Sequence, residues 1–242
     1  MTAPRPNKAI ILAAGQGKRL GSLTASLPKC LLEVDGKPIL QHQVDTLRAA
    51  GVSEFVVVTG FGAEQVRAAL GQQARYIHSE EYATTNSLYS FYLARQEVGH
   101  GFVLLNGDVL FHREIAESLL SSLYSDAAAV DFRDGLGAEE TKVKVDGERI
   151  VAITKDMDPS LSDGENVGLL KFTGPGVERL MEKTEALLRG GARRAWVIAA
   201  FHALAPEHPI CAIPTRRLPW IEIDFVDDLR RAREEIAPKC RA

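Results

Sequence analysis

The stretch Ala9-Ile10-Ile11-Leu12-Ala13-Ala14-Gly15-Gln16-Gly17-Lys18-Arg19-Leu20 decides the fold. Ala9 to Ala13 is a short, continuous apolar run, the pattern of a strand buried on both faces. Gly15 and Gly17 follow at once, and glycines let backbone N–H groups approach an anion closely. Lys18 and Arg19, and then Lys29 after Leu27-Pro28, place three cations within twelve positions. In physical terms this is a polyphosphate cradle at the end of a strand. It is not the dinucleotide fingerprint, because Leu20 stands where a third glycine is required. It is not a Walker A loop either, because the glycine spacing differs and no Gly-Lys-Ser/Thr follows. The bland alternative is a glycine turn with solvated basic residues.

Outward from this loop the chain alternates between the two periodicities. Ile39 to Ala50 has helical spacing with Gly51 beyond it as a cap. Phe55 to Val58 reads as a strand, Ala63 to Leu70 as a helix stopped by Gly71, and Ala74 to Ile77 as a strand. Asn86 to Gln96 is a helix, Phe102 to Leu105 a strand, Glu114 to Leu123 a helix and Ala127 to Asp131 a strand. That rhythm predicts an α/β fold, a Rossmann-like, doubly wound, mostly parallel sheet with helices on both faces. After Phe132 the rhythm changes. Lys142 to Val145 and Ile150 to Thr154 alternate around Asp146-Gly147 as a hairpin. A strand at Val167 to Phe172, helices at Val177 to Leu188 and Ala195 to Leu204, and strands at Ile210 to Ile213 and Trp220 to Ile223 follow. Phe225 to Ile236 is a closing helix with Asp227 and Asp228 in its first turn, where the dipole favours acids. The second half therefore reads as an antiparallel and helical elaboration. With no linker or repeat, one domain over residues 1–242 is expected, with a half at 1–131 and another at 132–242.

Composition excludes other classes. The chain has 242 residues, 45% hydrophobic and 25% charged, so it is not disordered. No run of about 18 apolar residues marks a membrane span, and Met1 to Asn7 lacks the apolar core of a secretory signal. Cys30, Cys211 and Cys240 are too few and too scattered for a disulfide framework or a cysteine zinc site, which points to a reducing cytoplasm. A net charge of −3 argues against a general nucleic-acid binder. Any anion site must therefore concentrate its positive charge locally.

Ligands of doubly wound sheets bind at the carboxyl ends of parallel strands, so the loops after Ala13, Ile77, Leu105 and Asp131 are the informative ones. Asn106-Gly107-Asp108 closes an apolar strand and aims a carboxylate at that edge. In Trp220-Ile221-Glu222-Ile223-Asp224, alternation puts Glu222 and Asp224 on one face. Asp108 and Asp224 together make an oxygen-rich site suited to Mg²⁺. A turn-forming Asp108 and a helix-capping Asp224 are the structural alternatives. Tyr82-Ala83-Thr84-Thr85-Asn86-Ser87-Leu88-Tyr89-Ser90 reads by itself as a helix start with several caps. The two tryptophans, Trp196 and Trp220, read as core packing. The six histidines have no metal-ligand spacing.

The Leu-Ala-Ala-Gly-x-Gly-x-Arg-Leu run with Pro-Lys downstream resembles the nucleotidyltransferases, which join a nucleoside triphosphate to a phosphorylated metabolite and release pyrophosphate. The resemblance covers nearly the whole chain and implies the nucleotide-diphospho-sugar transferase type of fold. It implies that Leu12, Ala13, Ala14, Gly15, Gly17 and Lys18 hold the triphosphate, that Arg19 and Lys29 stabilise charge during transfer, and that Asp108 and Asp224 bind Mg²⁺. Tyr82-x-x-Thr85-Asn86-x-x-Tyr89-Ser90 is similar to the branch of bacterial choline-phosphate and 2-aminoethylphosphonate cytidylyltransferases. It implies Thr85, Asn86 and Ser87 near the base and ribose of CTP. On the acceptor side, the resemblance implies that Lys155 meets the acceptor phosphate and that Gly168 leaves it room. Asp131, at a strand end, could meet an ammonium, and a quaternary one would want aromatic neighbours such as Trp220, Trp196 and Phe132. A small phospho- or phosphono-metabolite is the implied partner, with no nucleic acid or membrane, and a homodimer is implied only at family level. A sugar-1-phosphate uridylyl- or thymidylyltransferase and a catalytically silent nucleotide-binding module are the competing readings.

Overall fold

The computed structural model describes residues 5–240, so the start of the stretch read for a secretory signal lies outside the described residues. The first half runs β1 (Lys8–Ala13), a short hairpin of β2 (Glu33–Val34) and β3 (Lys37–Pro38), α1 (Ile39–Ala49), β4 (Glu54–Thr59), α2 (Ala63–Leu70), β5 (Arg75–His78), α3 (Ser87–Leu93), β6 (Gly101–Asn106), β7 (Val109–Phe111), α4 (Arg113–Ser121) and β8 (Ala127–Asp131). The second half runs β9 (Lys142–Asp146), β10 (Arg149–Thr154), β11 (Gly164–Thr173), α5 (Pro175–Arg189), α6 (Ile198–Leu204), β12 (Cys211–Pro214), β13 (Trp220–Glu222), α7 (Val226–Arg231) and α8 (Ala237–Cys240).

Nine strands form one mixed sheet in the order β5-β4-β1-β6-β11-β8-β12-β10-β9. β5, β4, β1 and β6 are mutually parallel, as expected for a doubly wound half. β11 enters antiparallel between β6 and β8, and β9 and β10 form the expected hairpin. β8 and β12 pair in parallel, so only β10 and β11 run against the rest.

The central strands β1, β4, β6 and β8 are buried on both faces because they are apolar at nearly every position. Ala9, Ile11 and Ala13 face one core, where α1, α2 and α4 place Leu40, Val66 and Ile115. Ile10 and Leu12 face the other, where α3, α5 and α6 place Phe91, Leu180 and Phe201. A third, smaller core collects Leu20, Leu32, Val34, Leu110, Ile221, Ile223 and Leu229. It ties the end of the glycine loop to β13 and the closing helices. Full burial of Leu20 alone is worth about 1.5–3 kcal/mol, which anchors the loop at its far end. The small β7–β13 ribbon holds β13 beside the carboxyl edge of β6. No helix among the described residues is long and apolar enough to cross a membrane.

Candidate active site

The carboxyl ends of β1 and β6 open into a cavity of about 320 Å³. Leu12, Ala13, Ala14, Gly15, Gly17, Lys18, Arg19 and Lys29 line one side, and Thr85, Asn86 and Ser87 line another. Asp108 and Asp224 stand on the floor, with Lys155 and Gly168 on the side of the second half. The structure thus gathers fifteen sequence-predicted residues, drawn from elements more than two hundred positions apart, into one space.

The glycine turn is shaped around Lys29. Gly17 has φ +74°, and a Cβ there would lie 2.8 Å from the Cβ of Lys29. Only glycine lets this buried lysine pass the turn. Its ammonium sits 2.8 Å from Asp108 Oδ2 and 2.5 Å from Asp224 Oδ1. Burial alone would favour the neutral amine, but the two carboxylates outweigh it and hold the ammonium charged well above the usual lysine range. Arg19 spans the rim, donating to Asp224 Oδ2 at 2.7 Å and to Glu139 at 2.8 Å. Asp224 is thereby kept ionised: burial raises its pKa, and Lys29 and Arg19 more than reverse that effect.

Two ties set the carboxylates in place. Gln43, buried on α1, donates its amide to the carbonyls of Asn106 at 2.7 Å and Val109 at 2.8 Å, clamping the turn that carries Asp108. The N–H of Ile223 donates to the carbonyl of Asp108 at 3.0 Å, locking the two acidic segments together. Asp224 does not cap the closing helix; the carboxylate of Asp228 accepts from the N–H groups of Asp224 and Phe225 there.

A third acid completes the floor. One oxygen each of Asp108, Glu222 and Asp224 lie within 4.8 Å of one another. Burial, then the charges of Asp108 and Asp224, push the carboxyl of Glu222 up to about 8. Asp108 Oδ1 is buried with no hydrogen-bond partner. Clustered carboxylates, one carrying an uncompensated buried oxygen, are the donor set that a hard divalent cation satisfies. The residues present fit Mg²⁺. The pairing of Asp108 with Asp224 and the alternation of Glu222 with Asp224 are visible in the sequence, but the membership of Glu222 in the cluster is not assigned from it.

The start of α3 is braided into the site. The carbonyl oxygen of the Asn86 side chain accepts from the N–H of Ser87, and the N–H of Val197 donates to Ser87 Oγ at 2.8 Å. Thr85 Oγ1 donates to the carbonyl of Glu81 at 2.8 Å. The segment therefore does cap a helix, and the same residues face the cavity. Trp196 departs from the core-packing expectation: it is 48% exposed and lines the cavity. The turn at 190–197 that joins α5 to α6 carries it outward, and the Lys155 ammonium lies 5.2 Å from its ring centroid.

Asp131 and Trp220 are not brought to the cavity wall. The two carboxylate oxygens of Asp131 accept from Thr215 Oγ1 at 2.8 Å and from the Trp220 indole at 3.2 Å, with Arg133 3.6 Å away. Asp131 is thus bound by partners from neighbouring segments, and Trp220 packs against the core as expected of it. Asn106, Thr141 and Asn166 also line the cavity, and the sequence assigns none of them a role. Asn106 shares its motif with Asp108, whereas Thr141 and Asn166 lie in no motif with a chemical signature.

A family model described as a MobA-like NTP transferase domain matches residues 9–234. A CMP-5'-(3-aminopropyl)phosphonate synthase of Streptomyces rubellomurinus is 30% identical over 96% of this chain and 39% of its own. A choline-phosphate cytidylyltransferase of Streptococcus pneumoniae is 33% identical over 48% of this chain and 52% of its own. Their matched regions thus take in only about two-fifths to half of these relatives' lengths. Among solved structures, the inositol-1-phosphate CTP transferase of T. maritima superposes with a TM-score of 0.80 at 24% identity, over 97% of this chain and 99% of that one.

Proposed function

The chain belongs to the MobA-like NTP transferase domain family, and on that premise we propose that it is a cytidylyltransferase. It couples CTP to a small phosphorylated or phosphonate alcohol or amine and releases pyrophosphate. The observation that carries the reading is Lys29, buried and charged between Asp108 and Asp224 beside the glycine turn. The names of relatives that use cytidine nucleotides support the choice of base. Residues 1–131 hold the nucleotide and residues 132–242 the acceptor.

The reaction asks the protein for position and charge rather than for a nucleophile. An acceptor phosphate or phosphonate oxygen is already anionic, so no protein base is needed for its attack on the α-phosphorus. Backbone N–H groups of the turn at Gly15 and Gly17 cradle the triphosphate. Lys18 and Arg19 leave solvent or carboxylate partners for phosphate oxygens, and Lys29 offsets the charge that develops as pyrophosphate departs. Asp108, Glu222 and Asp224 are the residues that would hold Mg²⁺; when bound, it supplies further charge neutralisation to the phosphates. Lys155 steers the acceptor phosphate, and Gly168, at φ +84°, keeps the floor near Asn106 clear of a side chain. The free thiols Cys30, Cys211 and Cys240 suit a reducing cytoplasm, and a homodimer is part of the same proposal.

Pyrophosphate release measured with CTP, UTP, dTTP and ATP against phosphorylated alcohols, amines and sugars tests the proposal. CTP should be preferred severalfold or more. Preference for UTP or dTTP with a sugar 1-phosphate would replace this reading with the sugar-nucleotide one.

A further inference from the structure

The acceptor end of the cavity contains a polar group with nothing to do. Asn166 on β11 is 8% exposed and lines the cavity, and its buried side-chain oxygen, Oδ1, has no hydrogen-bond partner among the described residues. A buried amide oxygen left unpaired costs about 1–3 kcal/mol, so a ligand group is the natural partner. The backbone N–H of Asn166 donates to the carbonyl of Thr141, which brings the hydroxyl of Thr141 beside it on the cavity wall. An amide and a hydroxyl together both donate and accept, and they carry no charge.

The charged groups around them are already committed. Glu165, next in sequence, gives its carboxylate to Arg133, which donates to it at 2.5 and 3.1 Å. Asp131 is bound by Thr215, Trp220 and Arg133. The carboxylates that line the cavity are those of the metal cluster, Asp108, Glu222 and Asp224. The indole that could face a cation, Trp196, already has the Lys155 ammonium 5.2 Å from its centroid. The same lysine meets the acceptor phosphate, so a cationic acceptor group there would lie beside a cation, and an ammonium would find no free acid among the described lining residues.

We infer that the acceptor's organic part is a neutral polyol, and that Asn166 and Thr141 recognise its hydroxyls. The inference rests on the nucleotidyl-transfer reading and narrows its acceptor from an alcohol or amine to a hydroxylated one. A hydroxyl can donate to the Asn166 amide oxygen and accept from its N–H; a primary ammonium can only donate, and a quaternary ammonium can do neither. Sites built to hydrogen-bond a hydroxyl reject analogues that lack it.

The test is pyrophosphate release by the full chain with CTP and Mg²⁺, using glycerol 3-phosphate and inositol 1-phosphate against phosphocholine and 2-aminoethylphosphonate. Calorimetry of CTP binding runs in parallel. The expected result is a kcat/KM at least about ten-fold higher for a hydroxylated acceptor, the scale of a neutral hydrogen bond won or lost. Asn166→Ala should raise the KM for that acceptor about ten-fold with the KM for CTP unchanged, and should leave the KM for phosphocholine where it was. Thr141→Val, nearly isosteric, should raise the same KM severalfold, which keeps the test alive if the Asn166 variant fails to fold. Higher kcat/KM with phosphocholine or 2-aminoethylphosphonate, no turnover with either hydroxylated acceptor while CTP binds, or equal KM changes for all acceptors in Asn166→Ala would overturn the inference. Failure of CTP to bind would instead remove the nucleotide reading, and this inference with it.

Discussion

Lys29→Met probes the most heavily loaded contact in the molecule. The substitution keeps the buried stem and deletes an ammonium 2.8 Å from Asp108 and 2.5 Å from Asp224, at a position 8% exposed. Removing one partner of a buried ion pair costs about 3–5 kcal/mol, because the other charge is left uncompensated. Arg19 still holds Asp224 at 2.7 Å, which favours the lower end, about 3 kcal/mol. The deficit has a definite pH dependence. In the native protein Lys29 and Arg19 hold Asp224 below its ordinary pKa despite burial, so the pair stabilises above the unfolded carboxylate range and is lost as pH falls through the folded value. The deficit is therefore full from about pH 8 to 5 and shrinks only as pH falls below about 4, through the unfolded and then the folded range of Asp224. Urea unfolding at several pH values measures it. Added Mg²⁺ should narrow it, since the ion replaces the lost charge on the same oxygens. Turnover should fall about two to three decades at neutral pH, the scale for losing one charge-stabilising group. A deficit below about 1 kcal/mol at pH 7, with turnover within a few-fold of wild type, would refute the reasoning.

Gly17→Ala should cost at least about 1 kcal/mol from the left-handed backbone alone. Its Cβ would also press on the stem of Lys29, so pyrophosphate release should fall further than stability predicts; unchanged turnover would show that the turn does not shape Lys29. Glu222→Gln should raise the Mg²⁺ concentration for half-maximal turnover about ten-fold, read from a metal titration, and no change would take Glu222 out of the metal set. Lys171 is fully buried beneath α4, donating to the carbonyl of Ser122 at 3.1 Å and to its hydroxyl at 2.8 Å. Burial, against the opposing charge of Asp126, drops its pKa to about 8 from 10.5. Between pH 8 and 10.5 the unfolded chain binds the extra proton, so this lysine makes stability rise with pH there and leaves it flat below. The stability of Lys171→Met minus wild type should accordingly fall by about 3 kcal/mol from pH 7 to 10.5, by denaturant titration. A constant difference would contradict the burial penalty.

Much of the frame was legible because its signals are local. The apolar run Ala9 to Ala13 lies within β1, and the pattern of Ala63 to Leu70 with Gly71 matches α2 residue for residue. The Asp146-Gly147 turn joins β9 to β10 as its dipeptide implies. The three-residue β7 and the two-residue β2 and β3 are too short to carry a period, and β7 exists because β13 pairs with it. The cradle and two of the three acids were readable for the same local reason: glycine spacing, clustered cations and strand-end carboxylates. What failed depended on long-range partners. Asp131 looked free at a strand end, yet Thr215 and Trp220, more than eighty positions away, occupy its oxygens. Trp196 looked like core, and its exposure follows from the path of one turn. Asn166 had no signature at all, since an unpaired amide oxygen is recognisable only once its surroundings are known.

The central claim is transfer of a cytidylyl group through the α-phosphorus. It is tested most directly by phosphorus NMR and mass analysis of the products formed from CTP, Mg²⁺ and a hydroxylated phosphate acceptor. The account predicts a CMP-linked acceptor and pyrophosphate in equal amounts. Formation of CDP with inorganic phosphate, or CTP left unconsumed under every acceptor, would contradict it.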